Sequence, residues 1–117
     1  MNTIKAQADI LLMLREYTAA IEKIYGSILS KVILFGSYAR GDYDENSDID
    51  VMIVLDVEPK DERKQIDELA EITADFNLKH DTYVMPIPKS EITFLKWLNI
   101  DPFYKNVNLE GRILYGA

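Results

Sequence analysis

Two aspartates stand two residues apart, Asp48 and Asp50, directly before a run of aliphatic residues. In a β-strand such residues project from one face, on the order of 7 Å apart at the backbone. Two anions repel each other by about 1 kcal/mol at a separation of about 4 Å, even in bulk water. A divalent cation between them relieves that repulsion, and oxygen ligands favour Mg²⁺ or Mn²⁺. The competing interpretation is that both carboxylates lie at a solvated strand end.

A second candidate site precedes the aspartates, where a short apolar run stops at Gly36 and Ser37. Glycine permits a tight turn and lets a ligand approach where a Cβ would obstruct it. The N–H groups of a helix start, with a serine hydroxyl beside them, bind phosphate oxygens well. The same residues also fit an ordinary strand-to-helix turn with Ser37 as the N-cap. The sequence alone leaves both interpretations open.

Arg40 follows Ser37 by one helical turn, so its guanidinium is within reach of a triphosphate bound at the turn. The alternative is a surface arginine that pairs with loop acids such as Asp44. Asp42, Asp44 and Glu45 belong to the connecting loop, and we expect them to keep it solvated.

Apolar periodicity predicts helices and strands that alternate around these groups. Helices are predicted over Thr3 to Tyr25, from Pro59 to about Asn77, from Ser90 through Leu98 and after Asp101-Pro102; strands are predicted over Val32 to Phe35, Ser47 to Asp56, Leu78 to Met85 and Arg112 to Tyr115. In this prediction Pro86 and Pro88 bound the third strand. The alternation favours an α/β layer fold, and the length of 117 residues favours one domain over residues 1–117.

The composition excludes several classes of protein. The chain has 13 basic and 20 acidic side chains, a formal charge of −7 and no cysteine. Disulfide frameworks and thiolate metal sites are therefore excluded. The charge argues against direct binding to nucleic acid or to an anionic membrane surface. Because the apolar run from Ile10 to Leu14 is too short to span a bilayer or to form a signal peptide core, we expect a soluble, cytoplasmic protein.

Gly36-Ser37, ten intervening residues and Asp48-Ile49-Asp50 together resemble the signature of the polymerase-β-like nucleotidyltransferase superfamily. Further short matches look like its small branch, the minimal nucleotidyltransferases: Ala39-Arg40-Gly41, Ser47 to Asp50, Asp101-Pro102, Glu110-Gly111 and Leu114-Tyr115. The resemblance implies the nucleotidyltransferase fold, a mixed β-sheet flanked by helices. It also implies magnesium-dependent transfer of AMP from ATP to an acceptor hydroxyl.

The resemblance assigns roles to individual residues. Gly36 and Ser37 would hold the β- and γ-phosphates, and Asp48 and Asp50 would hold two Mg²⁺ ions, with Mn²⁺ as a substitute. The family also uses a third carboxylate on a later strand, which binds the catalytic metal and deprotonates the acceptor. Asp81 is the candidate for it, because it falls in the predicted strand Leu78 to Met85. Its rival Asp56 lies six residues beyond Asp50, about 20 Å along a strand.

The acceptor is the least determined part of the prediction. In the minimal branch it is typically a small helical toxin, a HEPN ribonuclease, for which the nucleotidyltransferase acts as antitoxin. Two alternatives stay open: nucleotidyl transfer to a small hydroxylated molecule such as an aminoglycoside, and a non-catalytic module that only binds the toxin. The sequence does not fix the oligomeric state, and a homo-oligomer in which a second copy supplies the missing surface is one option.

Overall fold

Two antiparallel strands, β1 (Leu29–Phe35) and β2 (Ile49–Leu55), form the centre of a four-stranded sheet in residues 7–116, the part of the chain that the computed structural model describes. β3 (Val84–Ser90) pairs parallel to β2, and β4 (Arg112–Tyr115) pairs antiparallel to β1. The strand order is therefore β3-β2-β1-β4, with β3 at one edge. This mixed sheet confirms the predicted fold class.

Five helices flank the sheet within the described residues: α1 (Gln7–Tyr25), α2 (Ser37–Arg40), α3 (Ile66–His80), α4 (Glu91–Trp97) and α5 (Pro102–Glu110). Short 3₁₀ segments over Gly26–Ile28 and Pro59–Gln65 precede β1 and α3. The first predicted helix begins at Thr3, and its residues 3–6 lie outside the described part. No helix in residues 7–116 is long and apolar enough to cross a membrane.

Successive residues of the two central strands pack into two separate cores. Val32 and Leu34 of β1 face α1 and α3, and Val51 and Ile53 of β2 face the same way. The residues between them, including Met52, pack with Phe94 of α4 and Val107 of α5. Both strands are covered on both faces, which explains their nearly continuous apolar sequences. By the same alternation Asp50 projects toward the face that α4 and α5 cover.

The predicted strand Leu78 to Met85 is wrong. Residues 78–80 form the last turn of α3, since its apolar stripe continues from Phe76 to His80, whose ring lies 4.4 Å from that of Phe76 between centroids. The helix ends at Asp81, whose φ of 50° is left-handed. The side chain of Asn77 then bonds the backbone of Val84 twice, as donor to its carbonyl at 3.1 Å and as acceptor from its N–H at 2.8 Å.

β3 runs through Pro86 and Pro88, which were expected to bound it. The Tyr83 carbonyl accepts from the Ile49 N–H at 2.9 Å, so the odd-numbered residues that follow turn their backbone groups toward β2. The even-numbered residues, including both prolines, point their backbone nitrogens away from the sheet. Proline is tolerated in an edge strand in that orientation, because it has no N–H to lose from the ladder.

Side chains occupy the remaining outward N–H groups of β3. Asn77 accepts from Val84, and a Glu62 carboxylate oxygen accepts from the Ser90 N–H at 2.8 Å. With prolines at the two positions between them, β3 has no outward amide left for a further strand.

Most other boundaries agree with the predictions. β2 lies inside the predicted strand from Ser47 to Asp56, and β1 begins three residues before the predicted Val32. The helix predicted from Pro59 begins with seven residues of 3₁₀ helix and extends to His80. The predicted caps and the last strand are confirmed: Ser90 Oγ accepts from the Ile92 N–H, Asp101 Oδ1 accepts from the Phe103 N–H, and β4 covers Arg112–Tyr115.

Candidate active site

The turn after β1 is built on Gly36, whose φ of 74° and ψ of −155° lie in a region that is essentially restricted to glycine. Gly36 is the N-cap of α2, and its carbonyl accepts from the N–H groups of Ala39 and Arg40 at 3.1 Å each. Ser37 is the first helical residue, so the alternative in which Ser37 itself is the cap does not hold. The first N–H groups of a helix have no partners within it. The turn therefore presents backbone donors beside the Ser37 hydroxyl.

Asp50 lies against this turn. A Cβ at Gly36 would overlap the Asp50 Oδ2 atom, and its distance to Asp50 Cγ would be only 3.3 Å. Residue 50 also pairs with Phe35 across the two central strands. The backbone angle therefore favours glycine at position 36, and any side chain there would have to displace the Asp50 carboxylate. The two sequence motifs form one structural unit.

The two carboxylates of the Asp-x-Asp pair differ in environment. Asp48 is exposed and lies just before β2, whereas Asp50 is within the strand and half-buried. Burial raises the pKa of Asp50 above its usual value of 3.8, and the neighbouring charge of Asp48 raises it further. The Arg40 guanidinium acts in the opposite direction. A half-buried carboxylate beside a second one is an electrostatically costly arrangement that a bound cation relieves.

Arg40 lies at the end of α2 and is held by two acids. Its Nε is 3.1 Å from an Asp42 oxygen, and another guanidinium nitrogen is 3.6 Å from Glu110 of α5. The loop acid that pairs with it is therefore Asp42 and not Asp44. The Arg40 side chain is 43% exposed and its charge lowers the pKa of Asp50, so it lies at the rim of the turn.

Asp81 does not join the pair. It is an exposed residue in the connection between α3 and β3, and the strand on which its assignment rested is not formed. No three Asp, Glu or His side chains within residues 7–116 come together as a metal site. The role predicted for Asp81 thus stays a prediction, without support from the geometry.

Sequence reasoning missed one residue beside Asp50 and one beside the Gly36 turn. The β2–β3 register places Met85 next to Asp50, on the strand where the third carboxylate was expected. Near the turn, the ring of Phe103 in α5 packs edge-on against Phe35, with centroids 5.7 Å apart. A cavity of about 220 Å³ opens between that ring and Gly36. A correct β3 register would have revealed Met85, whereas nothing in the sequence pairs position 103 with position 35.

Comparison with known proteins identifies the family. The profile of the nucleotidyltransferase domain matches residues 14–115. A protein of Methanocaldococcus jannaschii named "Putative protein adenylyltransferase MJ0604" is 40% identical over 102 residues, which cover 87% of this chain and 94% of that protein. A second protein of that organism, MJ0141, has the same description and is 42% identical over 79 residues, 68% of this chain and 78% of its own.

Solved structures share the fold at lower identity. A Sulfolobus solfataricus protein described as a "putative nucleotidyltransferase" superposes with a TM-score of 0.59 and 21% identity, over 99% of this chain and 92% of its own. A toxin–antitoxin structure with AMP-PNP superposes with a TM-score of 0.53 and 19% identity, over 88% and 73%. The domain match and the 40% identical relative confirm the resemblance based on the Gly-Ser turn and the Asp-x-Asp pair: the chain belongs to the nucleotidyltransferase domain family and is a nucleotidyltransferase.

Proposed function

We propose that this nucleotidyltransferase transfers AMP from ATP to a hydroxyl of an acceptor protein, in the manner of an antitoxin that modifies a helical HEPN-type toxin. The observation that carries the proposal is the contact between Gly36 and Asp50, which joins a phosphate-binding turn to a carboxylate pair. AMP transfer to a protein is supported by the 40% identical relative, whose description is a protein adenylyltransferase.

The residues present fit Mg²⁺. Magnesium is commonly bound by one or two carboxylates together with substrate phosphates and water, and does not need an all-protein cage. Asp48 and Asp50 supply two such carboxylates, and the cost of holding Asp50 ionised beside Asp48 is what a cation removes. We propose that these two residues hold two Mg²⁺ ions, for which Mn²⁺ can substitute. When bound, the metal would stabilise negative charge on the phosphate oxygens.

The protein's own groups then orient the nucleotide. The backbone donors of Gly36 and Ser37, with the Ser37 hydroxyl, would hold the β- and γ-phosphates. Arg40 at the rim would contribute positive charge to the triphosphate. In the reaction the acceptor oxygen forms a bond to the α-phosphorus, the bond from that phosphorus to the β-phosphate oxygen breaks, and pyrophosphate leaves. The acceptor proton needs a base; the sequence predicts Asp81 for this role, but Asp81 lies outside the carboxylate pair, and the Asp81→Asn variant described below tests that prediction.

The proposal is tested by following the α-phosphate. The protein is incubated with Mg²⁺, ATP labelled at the α-phosphate, and a helical protein encoded beside it in the genome. We expect label on the partner and whole AMP additions in its intact mass. Asp48→Asn should remove the label, because it removes one of the two metal-binding carboxylates.

Three controls distinguish AMP transfer to a protein from its alternatives. ATP labelled at the γ-phosphate should leave the partner unlabelled, which separates AMP transfer from phosphorylation. An aminoglycoside offered in place of the partner should stay unmodified. If the aminoglycoside is modified while the partner protein takes up no label, the proposal is overturned. Full inhibition of the partner by the Asp48→Asn variant, with no added mass, would instead show a module that acts by contact alone.

A further inference from the structure

Two side chains from distant parts of the chain hold the carbonyl end of α2. Gln7, the first residue of α1, donates from its amide nitrogen to the Tyr38 carbonyl at 2.5 Å and to the Ala39 carbonyl at 3.4 Å. Arg112, the first residue of β4, donates from Nε to the Ala39 carbonyl at 3.5 Å. A second guanidinium nitrogen of Arg112 donates to the Gln7 side-chain oxygen at 3.4 Å. We call Gln7 and Arg112 together the α2 anchor.

α2 depends on outside contacts because it is only four residues long. A single helical turn fixes several backbone angles for one hydrogen bond and is unstable in isolation. The carbonyls of Gly36 and Ser37 accept from N–H groups of the turn itself. Tyr38 and Ala39 are buried, and carbonyls at the end of a helix have no partner within it. Since a buried carbonyl without a partner is costly, the α2 anchor supplies the donors that the helix lacks.

The residues before Arg112 explain a sequence match that the phosphate site leaves without a role, Glu110-Gly111. The Gly111 N–H donates to the Val107 carbonyl at 2.9 Å, and a Cβ at Gly111 would overlap that carbonyl oxygen and a side-chain carbon of β1. Any side chain at position 111 would therefore displace the connection from α5 to β4. This connection holds α2 twice, because Glu110 lies 3.6 Å from the Arg40 guanidinium and Arg112 bonds the backbone.

The α2 anchor leaves the phosphate-binding end of the turn free. N–H groups and carbonyls point in opposite directions along a helix, so contacts at the carbonyls do not occupy the N–H groups. The positive charge of Arg112 at the carbonyl end is also favourable for the helix dipole. The anchor thus fixes the direction of α2 from behind.

We propose that Gln7 and Arg112 are positioning residues for nucleotide binding. They hold α2 in the orientation in which its first N–H groups, the Ser37 hydroxyl and the Arg40 guanidinium bind the triphosphate. This inference rests on the proposed function in one respect, that α2 binds the triphosphate, and it does not depend on the acceptor. Removal of either side chain loosens α2 and weakens triphosphate binding.

Amide hydrogen exchange without nucleotide or metal tests whether the anchor holds α2. The N–H groups of Ala39, Arg40 and Gly41 close the turn, so their exchange rates report its opening. Gln7→Ala should raise these three rates about tenfold. The amides of β2 report the overall stability, and the increase at α2 should exceed any increase there.

Titration calorimetry with Mg²⁺ and a non-hydrolysable ATP analogue measures the effect on the site, at a temperature where circular dichroism shows each variant to be folded. Gln7→Ala removes no charge and should lower the affinity about fivefold, the effect of one lost hydrogen bond. Arg112→Ala should lower it by a similar factor. Arg63→Ala is the control: it removes the same charge from the exposed 3₁₀ segment beyond the other end of β2 and should bind as wild type does.

The double variant separates positioning from direct contact with the phosphates. Because Gln7 and Arg112 bond each other and the same helix end, Gln7→Ala with Arg112→Ala should bind about as weakly as the weaker single variant. Multiplied losses would show that Arg112 acts on the nucleotide by itself, and would overturn the inference. If Gln7→Ala does not fold, Arg112→Ala, at an exposed residue, provides both the exchange and the affinity test.

Three further outcomes would overturn the inference. Wild-type exchange rates at α2 in both single variants would show that the anchor does not hold the helix. Faster exchange with unchanged affinity would show that the position of α2 does not serve the nucleotide. A loss with Arg63→Ala equal to that with Arg112→Ala would reduce the effect to net charge.

Failure of the proposed function is visible separately. A wild-type protein that binds the analogue and labels no acceptor would overturn AMP transfer to a protein, while weaker binding by Gln7→Ala would still support the positioning role. A wild-type protein that does not bind the analogue would overturn both.

Discussion

Two connections meet at the same end of the sheet, and they are fixed in different ways. The connection from β1 to β2 turns at Gly36, where the backbone angle disfavours any side chain and an added Cβ would have to displace the Asp50 carboxylate. The connection from α3 to β3 turns at Asp81, whose left-handed angle an aspartate can adopt, and it is held by the two hydrogen bonds of Asn77. The first connection is shaped by the contact between Gly36 and Asp50, which belong to the proposed reaction centre, and the second by hydrogen bonds that hold the fold together. Substitutions at the two connections should therefore affect different measurements.

The largest expected difference is between the carboxylates of the two connections. Asp50→Asn should lower the rate of AMP transfer by at least a hundredfold, because it removes the charge of one of the two carboxylates proposed to hold Mg²⁺. Asp81→Asn should change it by less than about threefold, because the side chain is exposed and outside the pair, and asparagine accepts the left-handed angle. Single-turnover kinetics with labelled ATP measure both rates. A loss with Asp81→Asn comparable to that with Asp50→Asn would restore Asp81 as the third carboxylate.

Substitution of Gly36 tests whether the first connection binds the triphosphate. Gly36→Ala should destabilise the fold by about 1–3 kcal/mol through backbone strain and should abolish triphosphate binding, because the new Cβ displaces the Asp50 carboxylate. Gly41→Ala is the matched control: its φ is 89°, yet no atom lies within 4 Å of the added Cβ. It should cost stability and leave binding intact. Titration calorimetry measures the affinity of each variant for a non-hydrolysable ATP analogue. If Gly36→Ala and Gly41→Ala bind the analogue equally well, Gly36 does not belong to the site.

Asn77→Ala tests the second connection. It leaves the Val84 N–H and carbonyl without their partners, so we expect it to lower the free energy of unfolding by about 1–3 kcal/mol. Affinity for the ATP analogue should change little, since Asn77 lies on the α3 side of the sheet. Urea denaturation measures the stability. Loss of nucleotide binding at unchanged stability would contradict this division between the two connections.

The smallest effect concerns pH. Because the pKa of Asp50 is raised in the folded protein, its carboxyl holds a proton more tightly there than in the unfolded chain. Its contribution to stability is therefore favourable at low pH and is lost as the pH rises through the raised value. With EDTA at pH 7, Asp50→Asn should melt a few degrees above wild type, and the difference should vanish below the usual value of 3.8. Melting curves recorded over a range of pH measure this difference. A lower melting temperature for Asp50→Asn than for wild type at pH 7 would contradict the prediction.

These two connections also show how far the sequence could be read. Gly36, Asp48 and Asp50 were found because backbone angle and charge impose residue types at fixed spacing. The end of α3 was missed because the alternation from Leu78 to Met85 resembles a strand, while the helix continues through contacts of Phe76 that no local pattern shows. The sequence predicts strand ends at Pro86 and Pro88, because their tolerance at the sheet edge depends on a strand order that no local pattern shows. The neighbours of Asp50 could not be named without that register.

The prolines of β3 have a further consequence, for the behaviour of the protein at high concentration. Unpaired edge strands are where folded proteins template cross-β aggregates. Here one edge lacks donors, and the other, β4, has only four residues. Neither edge offers a long flat template to another molecule. The folded protein should therefore resist fibril formation in concentrated solution, and Pro86→Val, which restores one outward donor, should weaken this resistance.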